Sequence, residues 1–205
     1  MTSLPAFVAA SLVLILLPGP NLLYIVMRSV HEGRRAGVVS ALGVETGTLV
    51  HVLAASLGLA SLVSQSPAAF AVLRYAGAGY LAWLGVRTLT SRTDAAAAGA
   101  APAAAGPARI YRDGVLVNLL NPKVILFFVA FLPQFLPSGL GTGAARARML
   151  GLGTVFLFIA LALDLCYAFA GAALSARLRS AGVRLKYPAA AVYLLLATAA
   201  ATGAL

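Results

Sequence analysis

The chain has 205 residues, 61% of them hydrophobic and 10% charged, with a formal net charge of +10. Soluble domains carry about 25% charged residues, so the composition argues against a soluble globular domain and for a polytopic membrane protein. Nor does the positive charge mark a nucleic-acid partner: no basic stripe interleaved with aromatics is present, and the cations fall in short clusters between apolar runs.

A bilayer span needs roughly 20 predominantly apolar residues. Six segments qualify, at about 4–27, 37–63, 68–90, 113–136, 149–174 and 187–205. The first is too long for a signal peptide and has no Lys or Arg before it, so a retained span is expected. It is interrupted by Pro18-Gly19-Pro20-Asn21. The second carries Glu45, His51 and the Gly43–Gly47 pair, whose small-xxx-small spacing predicts close helix packing. Tyr75, Tyr80 and Trp83 in the third read as interface or packing aromatics. Residues 95–107 are almost all Ala, Gly and Pro and predict a linker, placed at 91–112 between a first half (1–90) and a second (113–205). The fourth span is interrupted by Asn121-Pro122-Lys123, and the fifth opens with Gly151 and Gly153 and holds Asp164 and Cys166. Cys166, the single cysteine, is expected to be a small core residue.

Proline inside a helix removes a hydrogen bond and clashes with the carbonyl four residues back. Non-helical backbone at membrane depth is tolerated only where it is buried in protein or lines a cavity. Interrupted spans at corresponding places in two halves are therefore a pointer to a transporter's binding site.

Orientation follows from the Lys/Arg distribution. The first, third and fifth loops hold Arg28, Arg34, Arg35, Arg87, Arg92, Arg109, Arg112, Arg177, Arg179, Arg184 and Lys186; the opposite side has Arg74, Arg146 and Arg148. Positive loops stay cytoplasmic, so both termini are predicted outside. With three spans per half, the second half enters the bilayer from the opposite side, and any repeat between the halves is inverted.

The helical rise of 1.5 Å per residue gives each polar group a depth. Glu45, Asp164, Asn121, Lys123 and the 18–21 break all come out roughly 10–15 Å from the cytoplasmic end of their spans. A charge at that depth costs about 2.5–3.5 kcal/mol or more, so Glu45, Lys123 and Asp164 need partners or water. A structural ion pair of Lys123 with one carboxylate would lock the bundle and leave the second carboxylate unexplained. As a site, Lys123 and helix N-terminal amides suit a substrate carboxylate. Glu45 or Asp164 suits an ammonium group or a coupling proton, and Asn21 and Asn121 offer donors and acceptors. The combination matches a zwitterion such as an amino acid. His51 is a candidate proton relay or a hydrogen-bonded histidine of the bundle.

The chain resembles the LysE/RhtB family of amino-acid exporters. The resemblance rests on Pro18-Gly19-Pro20-Asn21, on Gly33-Arg34-Arg35-Ala36-Gly37 followed by Gly43 and Gly47, on Leu120-Asn121-Pro122-Lys123 running into Phe127-Phe128 and Phe131-Leu132-Pro133-Gln134-Phe135, and on Asp164. It implies an all-α integral membrane fold of six transmembrane helices in two inverted three-helix repeats. It also implies proton-driven efflux of amino acids or close derivatives across the bacterial cytoplasmic membrane, often as a homodimer. Pro18, Gly19, Pro20, Asn21, Glu45, Asn121, Pro122, Lys123 and Asp164 match the family's polar and helix-breaking positions. The linker is longer and richer in alanine than the family leads one to expect.

Other readings fit less well. Export of another small solute or a metal ion shares the architecture. A passive channel needs a continuous polar lining, whereas the polar groups here form one layer. An intramembrane enzyme needs a nucleophile–base pair, but Ser56 and His51 are not helical neighbours and one span aspartate makes no dyad. No cofactor, resident metal or phosphate-binding loop is indicated.

Overall fold

The computed structural model of the chain describes residues 4–58, 67–90, 106–137 and 140–180 together with a few positions between 191 and 202. The linker over 91–105 and most of the sixth expected span lie outside the described residues.

Seven α-helices are formed among the described residues up to 180: α1 (Leu4–Leu16), α2 (Pro20–Glu32), α3 (Arg34–Ser56), α4 (Pro67–Thr90), α5 (Pro107–Leu119), α6 (Pro122–Leu126) and α7 (Thr142–Ser180). A π-helical turn (Phe127–Phe131) and a 3₁₀ turn (Leu132–Phe135) continue α6. No strand occurs among the described residues. Helix α3 and the Thr142–Leu174 part of α7 are long and apolar enough to cross a membrane. Two bent pairs, α1 with α2 (53°) and α5 with the 122–135 segment (49°), bring the number to four if each pair is one span. Helix α5 starts at Pro107, ahead of the expected span start at 113, so part of the expected linker is helical.

Both bends lie where the prolines dictate. A residue before proline is pushed out of the α region, and Gly19 (φ −162°, ψ −178°) and Asn121 (φ −80°, ψ 110°) are both extended. Pro20 and Pro122 then sit in the first turn of the following helix, where proline's missing N–H costs nothing. Helices α2 and α3 are joined by Gly33 at φ 91°, a backbone conformation that glycine adopts without a steric penalty.

Helix α3 is the central element, packed on α2, α5 and α7. Lipid tails are as apolar as leucine, so helix association in a bilayer depends on close van der Waals packing. The Gly43–Gly47 face supplies it against α5. A Cβ on Gly43 would lie 2.3 Å from the Tyr111 carbonyl oxygen, and one on Gly47 would lie 2.7 Å from Asn118 Cβ. Across the same seam, a Cβ on Gly114 would meet the Ser40 carbonyl at 2.9 Å. Gly153 packs on Val52 in the same manner, whereas Gly151 faces open space. Cys166 is a correction to the sequence reading: it is exposed. About 100° separates successive helical residues, so Cys166 points away from the buried face that Asp164 occupies two positions earlier.

Two apolar clusters fill the interior. One gathers Phe7, Val52, Phe127, Phe128, Phe135 and Phe156; the other gathers Tyr24, Ile25, Ala41, Val44, Val117 and Ala168. The α1–α2 pair and α7 run from the first cluster to the second. Helix α3 and the α5–α6 pair run from the second to the first.

Candidate polar site at the two helix breaks

Between the two clusters, at the same step along four chain segments, lies a small polar cavity of about 30 Å³. Gly19 and Asn21 from the first break, Glu45 and Thr48 from α3, Lys123 from the second break and Asp164 from α7 line it. Glu45, Lys123, Asp164 and Asn21 of the expected polar level thus share one cavity, and Asn121 joins them through Asn21 rather than by lining it.

The breaks touch each other directly. Asn121 Nδ2 donates to Asn21 Oδ1 at 2.8 Å. Asn121 also caps the helix it precedes, its Oδ1 accepting from the Lys123 backbone N–H at 3.1 Å. With both ends of its amide engaged, Asn121 is only 1% exposed.

Lys123 is held by backbone oxygens rather than by the alternative structural ion pair. Its ammonium donates to the Leu14 and Leu17 carbonyls, each at 2.7 Å. These oxygens belong to the interrupted end of α1, whose last carbonyls lack intrahelical partners, and a cation there also complements the helix dipole. Space for the side chain comes from Gly19, where a Cβ would stand 3.2 Å from Nζ. Among the described residues no carboxylate forms an ion pair with Lys123.

Glu45 and Asp164 face the same cavity and are 6% and 4% exposed. Glu45 Oε2 is buried without a hydrogen-bond partner among the described residues. Beside it, the Thr48 hydroxyl accepts from Asn118 Nδ2 at 3.0 Å. His51, one turn further, stands 3.4 Å from the Asn118 carbonyl through Nε2 and stacks on Phe128 with a ring separation of 5.7 Å. It does not line the cavity.

Lys123 and Leu14 also border a second, larger space. This open apolar groove of about 430 Å³ is bounded by Val13, Leu17, Leu126, Phe127 and Phe131. The π-helical turn supplies two of these aromatic walls. Short π segments inside helices are frequent at functional sites.

A further polar cluster escaped the sequence reading. Asp113 is 1% exposed and stands 3.4 Å from Arg28 and 3.5 Å from Arg112. Arg28 is also paired with Glu32 and lies over the Tyr24 ring, 5.4 Å from its centroid. Tyr24 in turn donates to the Ile110 carbonyl at 2.7 Å. From the sequence, Arg28 and Arg112 are loop charges and Asp113 is the edge of a span. The i, i+4 spacing of Arg28 and Glu32 was the one local signal.

Bent apolar spans around an enclosed polar centre define an α-helical multi-pass membrane protein. Residues 12–203 match the LysE type translocator family, and the chain belongs to it. Curated relatives include the leucine efflux proteins of Salmonella typhimurium (strain LT2), 36% identical over 63% of this chain and 61% of its own length, and of Enterobacter sp. (strain 638), 35% identical over 68% and 66%. The homoserine/homoserine lactone efflux protein of Salmonella typhimurium is 35% identical over 64% and 63%. The match thus spans about three fifths of the length of the first of these relatives. No solved structure matches the chain.

Proposed function

We propose that the chain is a secondary active exporter that moves amino acids or close derivatives out of the cytoplasm in exchange for protons. The observation that carries this reading is the meeting of two proline-broken helices, through Asn21 and Asn121, at a cavity lined by Lys123, Glu45 and Asp164. Acidic, basic and amide groups in one enclosure suit a zwitterion. The adjoining apolar groove suits an aliphatic side chain such as leucine's, the cargo named for two of the relatives.

Six spans in two inverted halves, 1–90 and 113–205 about a cytoplasmic linker at 91–112, remain the proposed architecture, with both termini outside in a bacterial inner membrane. The two bent pairs support it, since they cross the polar layer in opposite directions, one from the Phe7 cluster to the Tyr24 cluster and the other the reverse. Inverted repeats impose that relation on their first helices. A homodimer is part of the same proposal.

The cavity is far below the 300–1,000 Å³ of typical ligand pockets, so the bent pairs must separate to admit an amino acid. The test is efflux from proteoliposomes loaded with leucine or homoserine under an imposed proton gradient. Export driven by the gradient and abolished by a protonophore is expected. Gradient-driven efflux no faster than from empty liposomes, for every amino acid offered, overturns the export reading; undiminished export with the protonophore overturns the coupling.

A further inference from the structure

We propose that Glu45 and Asp164 form a carboxyl–carboxylate pair holding one exchangeable proton between them, and that this pair, rather than either residue alone, is the coupling-ion site. The inference rests on the proton-coupled reading above for its purpose, but its geometry is independent of that reading.

The two side chains come from α3 and α7 and face one cavity. That cavity, at about 30 Å³, has room for one or two waters, since each needs at least about 10–15 Å³ measured this way. An amino acid does not fit beside the pair, but a proton with a bridging water does. The other polar side chains lining the cavity each have a hydrogen-bond partner outside the pair. Lys123 is bound to the Leu14 and Leu17 carbonyls, the two asparagines bind each other, and Thr48 is held by Asn118. Glu45 Oε2 is buried with no hydrogen-bond partner among the described residues, and an unsatisfied buried acceptor is expensive.

Charge balance decides the occupancy. Two ionised carboxylates and one ammonium would leave a net negative charge buried among the apolar clusters, and two carboxylates sharing a site do not both ionise. One proton brings the set to neutrality and supplies the hydrogen that Oε2 lacks. Among the described residues no further charged side chain lines the cavity. Tyr167, on α7, interacts electrostatically with Asp164. His51 on α3 is turned to Asn118 and Phe128. On α5 and α2, Asp113 and Arg28 are committed to each other, with Arg112 on Asp113 and Glu32 on Arg28. When the cavity opens, hydration and separation of α3 from α7 let the carboxyl release its proton to water, and closure on the other side takes one up.

Infrared difference spectroscopy on the full chain in lipid, without substrate, reads the proton directly as pH is raised. At neutral pH the wild type is expected to show one protonated-carboxyl band per chain, converting to carboxylate on alkalinisation. Charge balance predicts its loss in Glu45→Gln and equally in Asp164→Asn, and about twice the intensity in Lys123→Met, whose pair must take a second proton. His51→Ala keeps the band. Absence of the band in wild type overturns the pair, a measurement that needs no variant to fold. Its survival in one carboxylate variant and loss in the other also overturns it, by assigning the proton to a single acid. Leucine efflux from the same vesicles separates the two claims. A band without export leaves the pair standing and removes the exporter; export without a band does the reverse.

Discussion

Asn21 and Asn121 are bonded amide to amide across 2.8 Å, so that the break in one bent helix pair is fastened to the break in the other. Each asparagine flanks the proline that opens the next helix, and Asn121 also caps the helix that presents Lys123. Asn121→Ala removes the cap, worth about 1 kcal/mol, and strands a half-buried amide on Asn21, which adds about 1–3 kcal/mol. Asn121→Asp keeps the cap and loses only the donor. Thermal unfolding in detergent is expected to rank wild type above Asn121→Asp above Asn121→Ala, and equal stabilities for wild type and Asn121→Asp would show that the inter-break bond contributes nothing.

Lys123 closes the end of α1 while bordering both spaces of the site. Lys123→Ala leaves the Leu14 and Leu17 carbonyls without a donor, at about 1–3 kcal/mol each. The variant is expected to reach the membrane with a lowered unfolding temperature and no gradient-driven efflux. Wild-type efflux rates in loaded vesicles would take Lys123 out of the transport site.

Asp164→Asn removes a charge from the cavity with almost no change of shape. Gradient-driven export is expected to fall to background while insertion and oligomeric state stay as in wild type. An efflux rate within twofold of wild type, with the same dependence on the proton gradient, would be incompatible with a coupling role.

The α3–α5 seam is predicted to be intolerant of a single methyl group. Gly43→Ala drives Cβ to within 2.3 Å of the Tyr111 carbonyl, a backbone atom that cannot step aside; overpacking of this kind costs about 1–3 kcal/mol. Gly151→Ala, where none of the described residues lies within 4 Å, is expected to be neutral or to gain up to about 1 kcal/mol from helix propensity. Parallel unfolding curves for the two variants check the contrast, and equal losses would refute it.

Asp113 is buried against Arg28, and removing one member of a buried pair costs about 3–5 kcal/mol because the other is left uncompensated. Asp113→Ala is expected near the lower end, since Arg28 keeps Glu32. A double-mutant cycle with Arg28→Ala should return a coupling of at least about 0.5 kcal/mol, and strict additivity would show the contact to be incidental.

The breaks and their level were legible from the chain because their causes are local. Proline's ring acts on its own and the preceding residue, and a fixed rise per residue converts position into depth. Glu45, Asp164, Asn121, Lys123 and the 18–21 turn come together as those rules require. Cys166 was misread for an equally physical reason: in a membrane protein the lipid-facing and core-facing sides of a helix are both apolar, so composition does not separate them.

Partnership was left to the tertiary structure. Lys123 meets carbonyls 106 and 109 residues earlier in the chain, Asn121 meets an amide 100 residues earlier, and Asp113 meets a guanidinium 85 residues earlier. An ammonium is attracted alike to a carboxylate and to the carbonyl end of a broken helix. Which one it finds depends on the rotation of each helix about its axis, and that is set by packing at Gly43, Gly47 and Gly114 rather than by any pattern along the sequence.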